Sequence, residues 1–214
     1  MQVSISRIHF PVTTLGPGRR VGLWFQGCSI RCPGCISVDT WDAGRNVVDA
    51  ADVVDRLREL SGSCDGLTVS GGEPFDQPDA LAEILYGWRR HSATPTLVFT
   101  GREMQDVAGW FYVHPNLVDA VMTGPFRSDL PQTAALRGSD NQTLHVLTER
   151  GSAFKVYDRT TGVEDRRLDV MFDDMGDAWI AGIPARGDLS KLRRLLAREG
   201  HSASTSASIR ETVR

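Results

Sequence analysis

Residues 27–35 read GCSIRCPGC, so Cys28, Cys32 and Cys35 put three thiols on one short loop, and Pro33-Gly34 lets the backbone bend around a bulky inorganic core. Three ligands sharing one centre constrain the backbone before any packing is considered. A structural zinc site takes four ligands and a catalytic one leaves a position open. Cysteine thiolates are equally the usual protein ligands of iron-sulfur clusters. If the three cysteines hold a cubane of four irons, the fourth iron has no protein ligand and is available to a small molecule. From the cysteines alone, a zinc site completed by Cys64 or by a histidine such as His9 stays open.

Cys64 lies in LSGSCDGL, just before a predicted strand, and reads as a buried or incidental thiol. Four cysteines in 214 residues, three of them clustered, do not make the disulfide framework of a small secreted domain. The opening MQVSISRIHFPV has no basic region, long apolar run or cleavage site of a secretory signal, and no apolar stretch approaches bilayer-spanning length. The expected location is the cytoplasm, with no membrane association. A formal charge of −3 supplies no bulk attraction to nucleic acid, and none is expected as a partner.

Along the chain, β-branched and aromatic runs alternate with helical stripes, the pattern of βαβ units around a mostly parallel sheet. VGLWFQ (21–26) reads as a strand ending at the cysteine loop, and residues 47–60 as a helix burying Ala50, Val53, Val54, Leu57 and Leu60. LTVS (67–70) is the next strand, followed by a helix marked by Leu81, Ile84, Leu85 and Trp88. TLVFT (96–100) precedes a stripe of Met104, Val107, Ala108 and Phe111, which His114-Pro115 ends, and VDAVM (118–122) follows. Beyond Gly124-Pro125 the runs near 144–147, 154–157, 168–172 and 178–181 have no helices between them and read as strands and hairpins. Asp188 is placed to cap a last helix carrying Leu189, Leu192, Leu195 and Leu196. The Ser-rich residues 200–214 are expected to be a disordered tail, leaving 1–199 as one domain.

SGGEPF (70–75) follows its predicted strand directly, so its backbone groups and Glu73 emerge at the carboxyl edge of the sheet, where parallel α/β folds hold their ligands. The pair of motifs, in this order and spacing, resembles the radical S-adenosylmethionine superfamily. The resemblance implies a single-domain α/β fold, a partial (β/α) barrel with a strand-rich C-terminal part. It also implies a 4Fe-4S cluster ligated by Cys28, Cys32 and Cys35, with S-adenosyl-L-methionine chelating the open iron and its amine near Gly71, Gly72, Glu73 and Pro74. The cluster would supply one electron to the sulfonium, releasing methionine and a 5′-deoxyadenosyl radical, while the protein orients the reactants and excludes water.

RIHFPVTTLGPGRRVGLWFQGCSIRCPGCISVDTW, LTVSGGEPFDQ, VFTGREMQDV, VDAVMTGPF and LRGSDNQ together resemble one branch, the activating enzymes of anaerobic ribonucleotide reductase and their relatives, from about Arg7 to Gln142. That implies a glycyl radical protein as partner, an electron donor such as flavodoxin or ferredoxin, and further cofactor contacts at Thr100 and Asn141. Ile183-Pro184 could add an apolar wall for adenine. Known activases usually carry Tyr-Asn where this chain has Ile36-Ser37. Trp41 reads as core, and Arg19-Arg20 as a solvated pair before the strand. Radical modification of a peptide or small molecule, or a non-catalytic iron-sulfur protein, are the alternative functions.

Overall fold

The computed structural model describes residues 1–172 and 178–201. Four strands form its parallel core: β2 (Arg20–Phe25), β4 (Gly66–Gly71), β5 (Thr96–Phe99) and β6 (Ala120–Thr123). Every residue of β2 is buried, as a strand covered on both faces requires. Antiparallel strands finish the sheet, β1 (Gln2–Val12) and β3 (Val47–Asp49) on one side and β7 (Thr143–Val146) on the other. The order is β3-β1-β2-β4-β5-β6-β7, so the two outer strands share no ladder and the sheet is not a closed barrel.

Strand alternation sorts the side chains onto two faces. Val21, Leu23, Phe25, Val69, Val98 and Val121 meet the helices α1 (Ala50–Ser61), α2 (Pro78–His91) and α3 (Met104–Val113) in the main core. Trp24, Leu97, Ala120 and Met122 look the other way, into two smaller clusters built with residues of the C-terminal part. That second face carries the hairpin β8 (Leu168–Phe172) with β9 (Ala178–Gly182), and α4 (Asp188–Arg198) follows.

Several sequence expectations change. β1 had been assigned no element, and Val47–Asp49 pair with Gln2–Ser4 as β3 instead of opening α1. Residues 154–157 belong to a 3-10 segment, Glu149–Tyr157, because the groups it buries, Gly151 and Phe154, recur every third residue and not every second. Gly187 in a left-handed conformation caps α4; Asp188 is its first residue, and its carboxylate turns back to accept from Ala185 N–H at 3.0 Å.

Arg20 is the largest correction: far from being solvated, it is 0% exposed. It donates to Thr68 Oγ1 at 2.6 Å and to the carbonyls of Leu67 and Pro95 at 2.7 and 2.8 Å, and it lies over the Phe154 ring. Burial lowers its pKa to about 10, which leaves it cationic at neutral pH. Of the tail, residues 202–214 lie outside the described residues. No helix among the described residues is long and apolar enough to cross a membrane.

Candidate active site

A cavity of about 470 Å³ lies at the carboxyl ends of the parallel strands, where this class of sheet places its ligands. Cys28, Cys32, Cys35, Gly71, Gly72, Glu73, Thr100 and Ile183 all line it, a grouping that joins residues up to 155 positions apart. Pro74 and Asn141 stand outside the lining. Pro74 begins a short 3-10 turn, and the Asn141 amide donates to Pro125 O at 2.8 Å.

The cysteine loop is held by a two-rung ladder: Gly27 N–H donates to Thr40 O at 2.7 Å and Cys28 N–H to Trp41 O at 3.1 Å. Asp76 ties this loop to its neighbours, accepting from Ser29 N–H and Ser29 Oγ at 2.7 and 2.8 Å and from Arg102 Nη2 at 2.6 Å. N–H donors surround the sulfurs. Arg31 N–H reaches Cys28 Sγ at 3.5 Å and Ser37 N–H reaches Cys35 Sγ at 3.4 Å, while the Phe126 backbone serves Cys32 and the Trp41 side chain Cys35. Burial raises the pKa of all three thiols, Cys35 to about 11. The pocket therefore favours neutral thiols when empty, and a cationic metal core supplies the charge that stabilises them as thiolates.

Both residues offered as a fourth zinc ligand lie elsewhere. Cys64 precedes β4, at the Arg20 end of the β2–β4 ladder, whereas the cysteine loop leaves its Phe25 end. His9 pairs with Gly22 within the sheet. Among the described residues no three Cys, His, Asp or Glu side chains converge on one ion; the thiols are spread around the cavity. Three thiols on one cavity, each met by N–H groups and with no fourth Cys or His beside them among the described residues that line it, are the donor set of a cluster with an open iron.

Glu73 is 1% exposed. Its Oε1 accepts from Phe75 N–H at 3.0 Å and Thr100 Oγ1 at 2.7 Å, and its Oε2 from Gly101 N–H at 2.9 Å, so it links the loops after β4 and β5. Burial raises its pKa, and these donors oppose the shift. One acceptor position on Oε2 is left toward the cavity. Gly72 has a packing reason that its sequence does not display: a Cβ there would sit 2.0 Å from Gly27 O and 3.0 Å from Thr40 O. Gly71 has φ +107, and a Cβ there would sit 2.5 Å from both Phe25 N and Phe25 O.

Sequence reasoning offered Ile183-Pro184 as a wall and passed over Gln132, Ile180, Arg186 and Leu189, which also line the cavity. Ile180, Arg186 and Leu189 belong to no local motif; the return of the C-terminal part across the sheet brings them there.

A family model described as a 4Fe-4S single cluster domain matches residues 14–145. The chain is 30% identical over 151 residues to the anaerobic ribonucleoside-triphosphate reductase-activating protein of Salmonella typhi, covering 65% of this chain and 96% of that one. It is 34% identical over 140 residues to the protein of that name from Enterobacteria phage T4, covering 63% and 88%. With the pyruvate formate-lyase-activating enzyme of Clostridium pasteurianum it shares 40% identity over 75 residues, 33% of this chain and 32% of the other. Among solved structures, QueE from Escherichia coli aligns with a TM-score of 0.39 and 15% identity, over 47% of this chain and 53% of that one.

Proposed function

The chain belongs to the 4Fe-4S single cluster domain family, in the lineage of the anaerobic ribonucleoside-triphosphate reductase-activating proteins, and on that premise we propose that it is a radical S-adenosylmethionine enzyme that installs a glycyl radical on a partner protein. The observation that carries this reading is the meeting of two motifs in one cavity, three N–H-supported thiols and the Gly71–Gly72–Glu73 turn at the carboxyl edge of the sheet.

Cys28, Cys32 and Cys35 hold the cluster in this proposal. When bound, a reduced cluster supplies the electron that splits S-adenosylmethionine into methionine and the 5′-deoxyadenosyl radical, which takes a hydrogen atom from the partner's glycine. The chain's own part is placement. Glu73 offers its remaining Oε2 acceptor position and its charge to the cofactor's ammonium, with Gly71, Gly72 and Pro74 shaping the turn beside it. Thr100 fixes the Glu73 rotamer through its hydroxyl, and Ile183 contributes apolar surface for adenine. Asn141 acts by holding the Pro125 carbonyl and so the loop that brings Phe126 to Cys32. No side chain has to serve as nucleophile or general base.

The sheet acts as a partial barrel in this reading, curved about the cofactors, with residues 1–199 as one catalytic domain. The reductant is a small electron carrier of the flavodoxin or ferredoxin kind, and the setting is the reducing cytoplasm.

The test is anaerobic reconstitution with iron and sulfide, then reduction with S-adenosylmethionine beside a glycyl radical protein. Four irons per chain, 5′-deoxyadenosine, and a glycine-centred doublet by electron paramagnetic resonance are expected. Cys28→Ala, Cys32→Ala and Cys35→Ala should each lose the cluster while Cys64→Ala keeps it. Stoichiometric zinc without iron or sulfide refutes the cluster, and cofactor cleavage with no glycyl signal moves the reading to a peptide or small-molecule substrate.

A further inference from the structure

The family match ends at residue 145, and 65% of this chain already accounts for 96% of the Salmonella relative. About a third of the chain thus lies beyond the match to that relative. In the fold that third contributes to the site, since Ile180, Ile183, Pro184, Arg186 and Leu189 line the same cavity as the three thiols and Glu73.

The stretch from β8 to residue 186 is held unequally on its two sides. On the β1 side the attachment is dense. Asp169 accepts four hydrogen bonds, from the backbone N–H and hydroxyl of both Thr13 and Thr14, at 2.6 to 3.1 Å. Trp179 stacks under the Arg7 guanidinium at 3.9 Å, and Met171 and Ala181 are buried in a cluster with Val12, Leu15 and Trp24. Across the cavity, residues 183–186 themselves meet the 125–142 loop through a few side-chain hydrogen bonds: Gln132 Nε2 donates to Pro184 O at 3.1 Å, and Arg186 donates to the carbonyls of Leu130 and Arg127. Residues 183–186 are bracketed by Gly182 at φ +129 and Gly187 at φ +84, conformations that glycine adopts without strain.

A cavity of about 470 Å³ lies in the lower half of the roughly 300–1,000 Å³ range that houses a single small ligand. A site that must take a cluster, S-adenosylmethionine and a stretch of partner chain has to open. We propose that residues 183–186 are a specificity-determining latch, carried on the β8–β9 hairpin, which narrows the mouth of the cavity and restricts the access of water while its ties hold. Release of the Gln132 and Arg186 ties admits an extended polypeptide segment of the partner. The latch lies outside the family match, and it gives this chain a means of selecting its hydrogen donor. The proposal rests on the preceding reading of function in taking the cavity as the place where the radical forms. Water exclusion and gated entry are the general uses of such closures.

The experiment has two arms. In cofactor-free full-length protein under anaerobic conditions, hydrogen exchange by mass spectrometry compares wild type with the Q132A/R186A double variant. Exchange across 182–187 should quicken by roughly ten- to a thousandfold, as loss of the three hydrogen bonds implies, while 168–172 stays protected. In reconstituted protein with the glycyl radical partner, the double variant should lower KM for the partner with kcat little changed, because the competent open state no longer has to be populated at a cost. It should also raise 5′-deoxyadenosine formation in the absence of any partner. Unchanged exchange in 182–187, or quickened exchange with neither KM nor unproductive cleavage altered, overturns the latch. If wild type forms no glycyl radical on any partner, the functional reading falls instead, and exchange together with unproductive cleavage still decides the latch.

Discussion

Replacing Gly72 by Ala separates two reasons for a glycine in the SGGEPF turn. If the residue is there only to let backbone approach a ligand, the cofactor-free protein should tolerate a methyl group. The structure gives a different cause. The added Cβ would meet Gly27 O at 2.0 Å, Gly27 C at 2.7 Å and Thr40 O at 3.0 Å, all of them backbone atoms that cannot rotate aside. Gly27 directly precedes Cys28 and donates to Thr40 O, so relief must move the cysteine loop or break that ladder. Overpacking of a tight site costs about 1–3 kcal/mol, and a clash confined to backbone belongs at the upper end. With a urea m-value of about 2–3 kcal/mol/M, a loss of about 3 kcal/mol lowers the denaturation midpoint by roughly 1 M. The assay is urea unfolding of metal-free, reduced protein, followed by circular dichroism. Gly109→Ala is the control: it lies inside α3 with nothing within 4 Å of its added Cβ, and it should stabilise by about 0.5–1 kcal/mol. A Gly72→Ala protein as stable as wild type without cofactor, but deficient in S-adenosylmethionine binding, would refute the packing argument.

Asp119 is 0% exposed and accepts from Thr96 N–H at 2.8 Å, from Arg150 Nε at 3.0 Å, and from Arg89 Nη2 and Thr148 Oγ1. Asp119→Ala strands the half-buried Arg89 guanidinium and should cost about 3–5 kcal/mol in the same unfolding assay, with Asp119→Asn intermediate. Glu73 has a folded pKa above its usual 4.5, so its stabilising contribution is complete below that value and is lost as pH rises through the higher folded pKa. Subtracting the stability-versus-pH curve of Glu73→Gln from that of wild type should reveal a fall with rising pH, and a rise would reverse the sign of the burial argument. Thr100→Val removes one donor to Glu73 Oε1 and should raise the Glu73 pKa further while costing about 1–2 kcal/mol, read from the same pair of curves.

The chemistry of this chain is legible in its sequence because the parts that carry it are local. Three cysteines on one loop and a Gly-Gly-Glu-Pro turn at a strand end are each written within nine residues, and because each directly follows a strand, parallel pairing of those strands puts both at one edge of the sheet. The helices were legible for the same reason, since the stripe in α1, α2 or α3 is read within the helix itself. Tertiary structure alone decided what depends on distant partners. Arg20 looks solvated beside Arg19, yet Thr68, Leu67 and Pro95, 47 to 75 positions away, supply the acceptors that let it be buried. Gly72 looks like a ligand cradle until the Gly27 carbonyl, 45 positions upstream, is seen to occupy its Cβ position. In the segment from Ile180 to Ser190 the sequence suggested a wall only at Ile183-Pro184, and the place of the rest on the cavity wall follows from Asp169 meeting Thr13 and Thr14 some 155 positions earlier. A short stretch of chain determines its own backbone geometry and donor set, but which groups shield, clash with or neutralise them is set by packing across the sheet.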